Sequence, residues 1–427
     1  MAQDVVTGRS GLSRAAAGYG LAVMTLLNFV NYIDRYVLPA VSPRIQAALR
    51  LNDAQLGLLG SAFLLSYFIT SPVFGWFGDR GRRTRLMAAG VAVWSLATAA
   101  GGIARSFAQM LCARGVVGVG EASYAAISPA VISDYYPSER RGRVFAVFYL
   151  AIPVGSAVGY LLGGAIEHAF GWRAAFFAVG LPGLVLALLT LTAPDPRRGI
   201  NDDPRAGAAF AGTYAEALAL LARNADYVVA VLGYAAYTFA IGGMSFWVPA
   251  YLHRERGVTL AEADYMVGLV TVVAGIGGTF LGGFLADLLA RRVRQAYLYL
   301  SGLSMLAAVP FAWLAFTARG RPVYVAALLA AEFLAFLSTG PINVVIVSVV
   351  PVAIRATAMA VSIFVIHLFG DAAAPLVVGA VSDWVGLSRA VLIMPFVVAL
   401  SGVVWTCGAY RGAARQTRGG APAGGTP

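Results

Sequence analysis

Lysine is missing from this chain of 427 residues, and all 31 basic residues are arginine. That absence reflects compositional bias and excludes no function. The scarcity of charge excludes more. Only 12% of the residues are charged and 59% are apolar, too little polar surface to clothe two or three soluble domains. Two cysteines, Cys112 and Cys407, exclude a disulfide framework, and both read as small buried hydrophobes. Three histidines offer no metal-ligand cluster, and no phosphate-cradling glycine loop is present. With no soluble domain to house a catalytic site, an enzyme is not expected, and no cofactor is called for. Continuous apolar runs also exclude a barrel of alternating strands.

What is present is apolar length. About 250 apolar residues, at about 20 per bilayer crossing, suffice for twelve helices. Eight stretches free of Asp, Glu and Arg are long enough to span: 54–78, 86–104, 144–166, 174–194, 227–253, 265–286, 295–318 and 390–410. Four more, 17–42, 108–133, 323–350 and 357–382, span if each tolerates one or two ionisable groups. The charged spans are thus the first, fourth, tenth and eleventh.

A net charge of +11 would suggest nucleic acid in a soluble protein, but here the arginines sit in short loops. About 20 fall on the side of the termini and about nine on the other, so both termini are expected in the cytoplasm. The first span lacks a cleavage-site pattern and carries Asp34 and Arg35, so it reads as an uncleaved helix. The expected location is a bacterial inner membrane.

One long polar linker, 194–226, divides the chain into a six-helix bundle over 1–193 and another over 227–411, followed by a disordered tail over 412–427. Within the linker, Ala208 to Arg223 is apolar enough for a short helix on the membrane surface. The halves repeat. GWFGDRGRR from Gly75 to Arg83 recurs 208 positions later as GFLADLLARR from Gly283 to Arg292. PSERRGRVFA from Pro137 recurs 214 positions later as PVAIRATAMA from Pro351. Duplicated six-helix halves are the architecture of a secondary transporter working by alternating access.

These loops resemble the signature of the major facilitator superfamily, although Arg82 stands where its motif usually has glycine. Arg114 to Gly120 and the Gly171-Trp172-Arg173 run resemble it too. Four longer strings narrow the resemblance to the Spinster family: NYIDRY from Asn31, RGVVGVGEASY from Arg114, FYLAIPVGSAVGY from Phe148 and HLFGDAAAP from His367. The resemblance implies an all-α fold of twelve helices in two pseudo-symmetric bundles around a central cavity lined by the first and fourth helices of each half. It also implies transport of lysophospholipids or sphingoid-type lipids, with proton coupling.

Ionisable groups inside a bilayer are costly and mark function by default. Arg114 and Glu121 are two helical turns apart on one face of the fourth span, about 10 Å, too far for a direct pair. Asp34 and Arg35 supply both signs, so the expected network bonds Glu121 to Arg35 and Asp34 to Arg114. Partner exchange in such a network moves protons, and arginine can also hold a phosphate. Glu332 in the tenth span is expected to line the cavity. His367 and Asp371, four apart in the eleventh, suit a pH sensor or gate, unless Asp371 satisfies backbone groups freed by Pro375. Asp79 with Arg80 and Arg141, and Asp287 with Arg291 and Arg355, are expected to form cytoplasmic gate pairs. Tyr234, Tyr237, Phe239, Phe246 and Trp247 in the seventh span offer apolar surface for a lipid chain, and Gly155, Gly159 and Gly163 read as helix packing.

The expected function is proton-gradient-driven transport of an amphipathic small molecule by a monomer among membrane lipids, with protons as the coupled ion and no nucleic acid. The alternatives are a drug or organic-solute/proton antiporter of the same fold, whose fourth-helix motif Arg114 to Gly120 also resembles, and a receptor or scramblase.

Overall fold

Helix boundaries follow local chemistry. In the computed structural model, which describes residues 12–136, 138–197, 213–293, 295–351 and 354–419, Ser13 caps the first helix by accepting from Ala16 N at 3.1 Å. This helix, α1 (Arg14–Leu49), ends where Arg50 takes a left-handed φ of 53° and donates its N–H to Gln46 O. Asn52 and Gln55 form a reciprocal capping box for α2 (Asp53–Arg80), with contacts of 2.7 and 3.1 Å. Then come α3 (Arg83–Ile103), α4 (Phe107–Tyr135), α5 (Ser138–Phe170) and α6 (Trp172–Thr192).

In the linker, α7 (Tyr214–Arg223) is capped by a second box, Thr213 with Glu216. Ala217 and Leu221 are buried while Tyr214 and Leu220 are exposed, the two-faced pattern expected of a surface helix. The first residues of the predicted segment lie outside the described residues. The second half follows as α8 (Ala225–Arg256), α9 (Leu260–Ala290), α10 (Ala296–Thr317), α11 (Arg321–Phe336), α12 (Thr339–Ser348), α13 (Arg355–Ile366), α14 (Ala374–Val385), α15 (Leu387–Ala390) and α16 (Ile393–Gly419). Twelve stretches are long and apolar enough to cross a membrane, and they coincide with the twelve predicted spans.

Two spans are interrupted where the sequence pattern suggested continuous helix. The tenth breaks between α11 and α12 at Leu337 and Ser338. The eleventh opens into a wide turn at His367–Asp371, with Gly370 at φ −101° and ψ −109°, before resuming at α14. Proline at 375 has no N–H to donate into the preceding turn. Thr238 of α8 takes up the loosened backbone, donating from Oγ1 to Ile366 O at 2.7 Å. A methyl group at Gly370 would collide with that same threonine.

The contacts sort into two compact units: one holds residues up to Ala206 with Ser245–Leu269 and Pro375–Leu387, the other Gly207–Met244, Val270–Ala374 and Ser388–Pro427. In the first unit Met24, Leu27, Trp94, Tyr124 and Ile132 form the core. Gly155, Gly159 and Gly163 lay α5 directly on α1, and a Cβ at Gly159 would stand 2.8 Å from Ile33 O. In the second unit Trp405, Met305, Tyr237 and Ile346 form the core, and Trp405 donates its Nε1 proton to Ala230 O at 3.0 Å.

The usual sorting of polarity is inverted. Leu188, Ile69, Phe280 and Phe396 point outward, while Asn28, Asn31, Asp34, Arg114 and Glu121 are buried. Water penalises such a surface, whereas lipid favours it. The same reasoning explains a departure from expectation: Cys112 and Cys407 are exposed, not buried, on α4 and α16. An apolar thiol is as well solvated by hydrocarbon as by a core.

Candidate functional site

The first unit gathers the charges of α1 and α4. Arg35 donates from Nε to Glu121 Oε2 at 2.9 Å, joining the two helices. Glu121 is fully buried and Arg35 keeps 17% of its side chain exposed. The guanidinium also lies 5.0 to 5.1 Å from the ring centroids of Tyr32, Phe63 and Tyr67. Gly118 of α4 makes this possible, because it lets the α2 backbone approach closely at Phe63 and Tyr67. Arg114 shares Phe63, its guanidinium 4.8 Å from the ring centroid.

The second expected pair is not formed. Asp34 accepts instead from Thr98 Oγ1 of α3 at 2.5 Å. Neighbouring helical residues diverge by about 100°, so Arg35 facing α4 obliges Asp34 to face α3. Among the described residues Asp34 Oδ1, Arg114 Nε and Glu121 Oε1 are buried with no hydrogen-bond partner. Two carboxyl groups and one guanidinium are therefore incompletely satisfied in a dry setting, where each missing bond is costly.

The second unit holds the thinner set. Glu332 is buried on α11 and accepts from Thr271 Oγ1 of α9 at 3.3 Å. His367 Nδ1 stands 2.9 Å from both carboxylate oxygens of Asp371. The carboxylate thus meets the imidazole. Beside them Tyr234 accepts from Asn343 Nδ2 at 3.3 Å, and Tyr237 shares a proton with Thr339 at 2.9 Å, a polar row across α8 and α12. Trp247 is packing: it is buried and donates to Pro375 O at 3.1 Å.

Of the gate residues, the side chains of Asp79, Arg80, Arg141 and Arg355 lie outside the described ones. Asp287 is exposed and accepts from Tyr297 Oη at 2.8 Å, where a pair with Arg291 was expected. Two networks that sequence reasoning missed do form. Arg83 at the start of α3 binds Asp134 of α4 at 2.5 Å, Asp195 at 2.8 Å and Pro196 O at 2.6 Å. Its position in an arginine-rich loop reads as a topology signal, which masks this role.

The second network lies at the start of α2. Asp53 Oδ1 accepts from Arg254 of α8 at 2.7 Å and Gln46 at 2.5 Å, and Oδ2 from Ser382 of α14 at 2.5 Å. Asp383 then accepts from the backbone N–H groups of Asp53 and Ala54 at 2.8 and 3.0 Å, favoured by the positive end of the helix dipole. Apart from Gln46, seven residues before Asp53, these partners are about 200 to 330 positions apart, and only the capping role of Asn52 leaves a signal in sequence.

The fold and this charge pattern define a class. Residues 24–375 match the family model of the Major Facilitator Superfamily, and the chain belongs to that superfamily and, within it, to the Spinster family. Protein spinster homolog 3 of Danio rerio is 32% identical over 425 residues, covering 92% of this chain and 85% of that protein. The sphingosine-1-phosphate transporter SPNS2 of the same organism is 31% identical over 411 residues, covering 89% and 82%. The crystal structure of a bacterial homolog of the human lysosomal transporter Spinster, inward-facing and unoccupied, superimposes with a TM-score of 0.84 at 25% identity, covering 93% of this chain and 98% of that one. The protein is a multi-pass membrane transporter and not an enzyme.

Proposed function

We propose that the protein carries an amphipathic lipid, such as a lysophospholipid or sphingoid-type lipid, by proton-coupled alternating access. The reading places it as a monomer in a bacterial inner membrane with both termini cytoplasmic, drawing on the proton gradient with no bound cofactor. Its repeating halves, split at the 194–226 linker, would supply the two bundles that rock.

The observation that carries the reading is the Arg35–Glu121 pair. A buried carboxylate with one oxygen bonded and one without a donor is an acid whose proton affinity depends on whether Arg35 stays. The arginine, stacked on three aromatic rings, matches an anionic headgroup with an apolar chain beside it. When the headgroup takes Arg35, Glu121 loses its counter-charge and binds a proton. Asp34 and Arg114 act in the same cluster, Glu332 is a further coupling acid of the second half, and His367 with Asp371 senses pH. Asp79, Arg80, Arg141, Asp287 and Arg355 serve the cytoplasmic gate. The names of relatives that transport sphingosine 1-phosphate or sphingolipids support the substrate class.

Reconstituted protein tests it. Labelled lysophospholipid and sphingoid-base phosphate should cross vesicle membranes faster with a pH gradient than without one. Flux of organic cations alone points to a drug antiporter, and gradient-independent lipid movement to a scramblase.

A further inference from the structure

One buried acid in the first unit belongs to none of these networks. Asp264 lies one turn into α9, behind the Thr259 cap, on the stretch that packs against α5. The contact is close because α5 presents glycine: a Cβ at Gly164 would stand 2.7 Å from Asp264 Oδ2 and 3.3 Å from Ala261 Cα. One turn further along α9, Gly268 lies over Ala157 and Tyr160 of α5. Asp264 is 0% exposed, and among the described residues neither of its oxygens meets a hydrogen-bond donor.

The other buried acids of this unit all have donors. Glu121 has Arg35, Glu167 has Arg44, Asp134 has Arg83, Asp34 has Thr98, and Asp53 has Arg254. Around Asp264 the charges have the wrong sign or are taken. From α5 comes Glu167, a like charge, with the exposed His168 next to it. From α1 comes Arg44, held by Glu167 at 2.7 Å. On α9 itself Glu262 turns back to Thr259 at the exposed helix start. Among the described residues a carboxylate at this enclosed contact meets no donor and no counter-charge that is not already paired, so the contact admits the neutral acid.

We propose that Asp264 is a second proton-binding site, loaded while α5 and α9 are in contact and emptied when they part. Separation admits water, which stabilises the ionised form, so each parting releases a proton and each re-docking requires one. The sign follows: raising pH favours the parted state. The use of this site in transport rests on the alternating-access reading, but the site itself does not depend on which solute is carried.

Spin labels at Phe170→Cys of α5 and Tyr265→Cys of α9, both exposed positions, report the contact once Cys112→Ser and Cys407→Ser remove the native thiols. In solute-free detergent, the distance distribution should lengthen from mildly acidic to mildly alkaline buffer. Asp264→Asn, which mimics the neutral acid, should stay in the short-distance state throughout. Glu167→Gln leaves Asp264 in place and removes the like charge beside it, which makes an ionised carboxylate in the contact less costly, so the pH response should shrink. The inference is overturned if the unmodified contact ignores pH, if the asparagine variant tracks it, or if that variant fails to fold and Glu167→Gln responds unchanged. A missing lipid flux bears on the proposed substrate and leaves this result standing.

Discussion

Arg35 and Glu121 are 86 positions apart in sequence and meet at 2.9 Å, with the arginine supported by three aromatic faces and the acid fully enclosed. The pair ties α1 to α4, and among the described residues the second oxygen of Glu121 meets no donor in hydrogen-bonding geometry. Replacing Glu121 with Gln keeps the size and one acceptor but strands a buried guanidinium. Proton-driven flux in proteoliposomes is expected to fall by at least about tenfold. Stability should drop by about 3 kcal/mol, measured by thermal unfolding in detergent. A variant that keeps its full gradient-driven flux removes Glu121 from the proton path.

Asp53 and Arg254 form the centre of a network across α1, α2, α8 and α14. In a double-mutant cycle of Asp53→Asn and Arg254→Gln, a coupling energy of about 1 to 2 kcal/mol is expected. Labels on α2 and α14 should show broader separations in either single variant. Strict additivity with unchanged distances would mean the bridge holds nothing together.

Arg83 reaches Asp134, Asp195 and a backbone carbonyl with one planar fork, and both it and Asp134 are almost fully enclosed. Arg83→Gln leaves Asp134 buried without its charge partner and should cost about 3 to 5 kcal/mol. Lysine has the charge but not the fork, so Arg83→Lys is expected to recover less than half of the loss. Full recovery by lysine would show that charge alone matters.

His367 and Asp371 hold each other across the opened turn of the eleventh span. The contact braces the opened turn, so removing the imidazole is expected to loosen it. Transport measured against pH should lose one inflection in His367→Gln. An unshifted profile assigns the pair to structure and not to sensing.

Much of the architecture was legible before folding. Spans could be counted because twelve apolar stretches of bilayer length have one physical outcome in lipid. Buried charge was equally legible, since Asp34, Arg35, Arg114 and Glu121 interrupt apolar runs where nothing but function or pairing justifies the cost. Arg35 and Glu121 do meet, a contact expected because the family resemblance places the first and fourth helices together and spacing excludes Arg114 as the direct partner of Glu121. The expectation that Asp34 pairs with Arg114 fails, because spacing along one helix does not say which neighbour each face meets.

The sequence by itself determined the class of molecule, the number of crossings and the short list of costly residues, all consequences of local hydrophobicity and charge. Only the tertiary structure decided who pairs with whom: Thr98 for Asp34, three acceptors for Arg83, two acids and a serine at the start of α2, and, among the described residues, no donor for Asp264. The reason is geometric. Hydrogen bonds and ion pairs act over about 3 Å, and which side chains come that close is set by small residues such as Gly118, Gly159 and Gly164, whose contacts lie on helices remote in the chain.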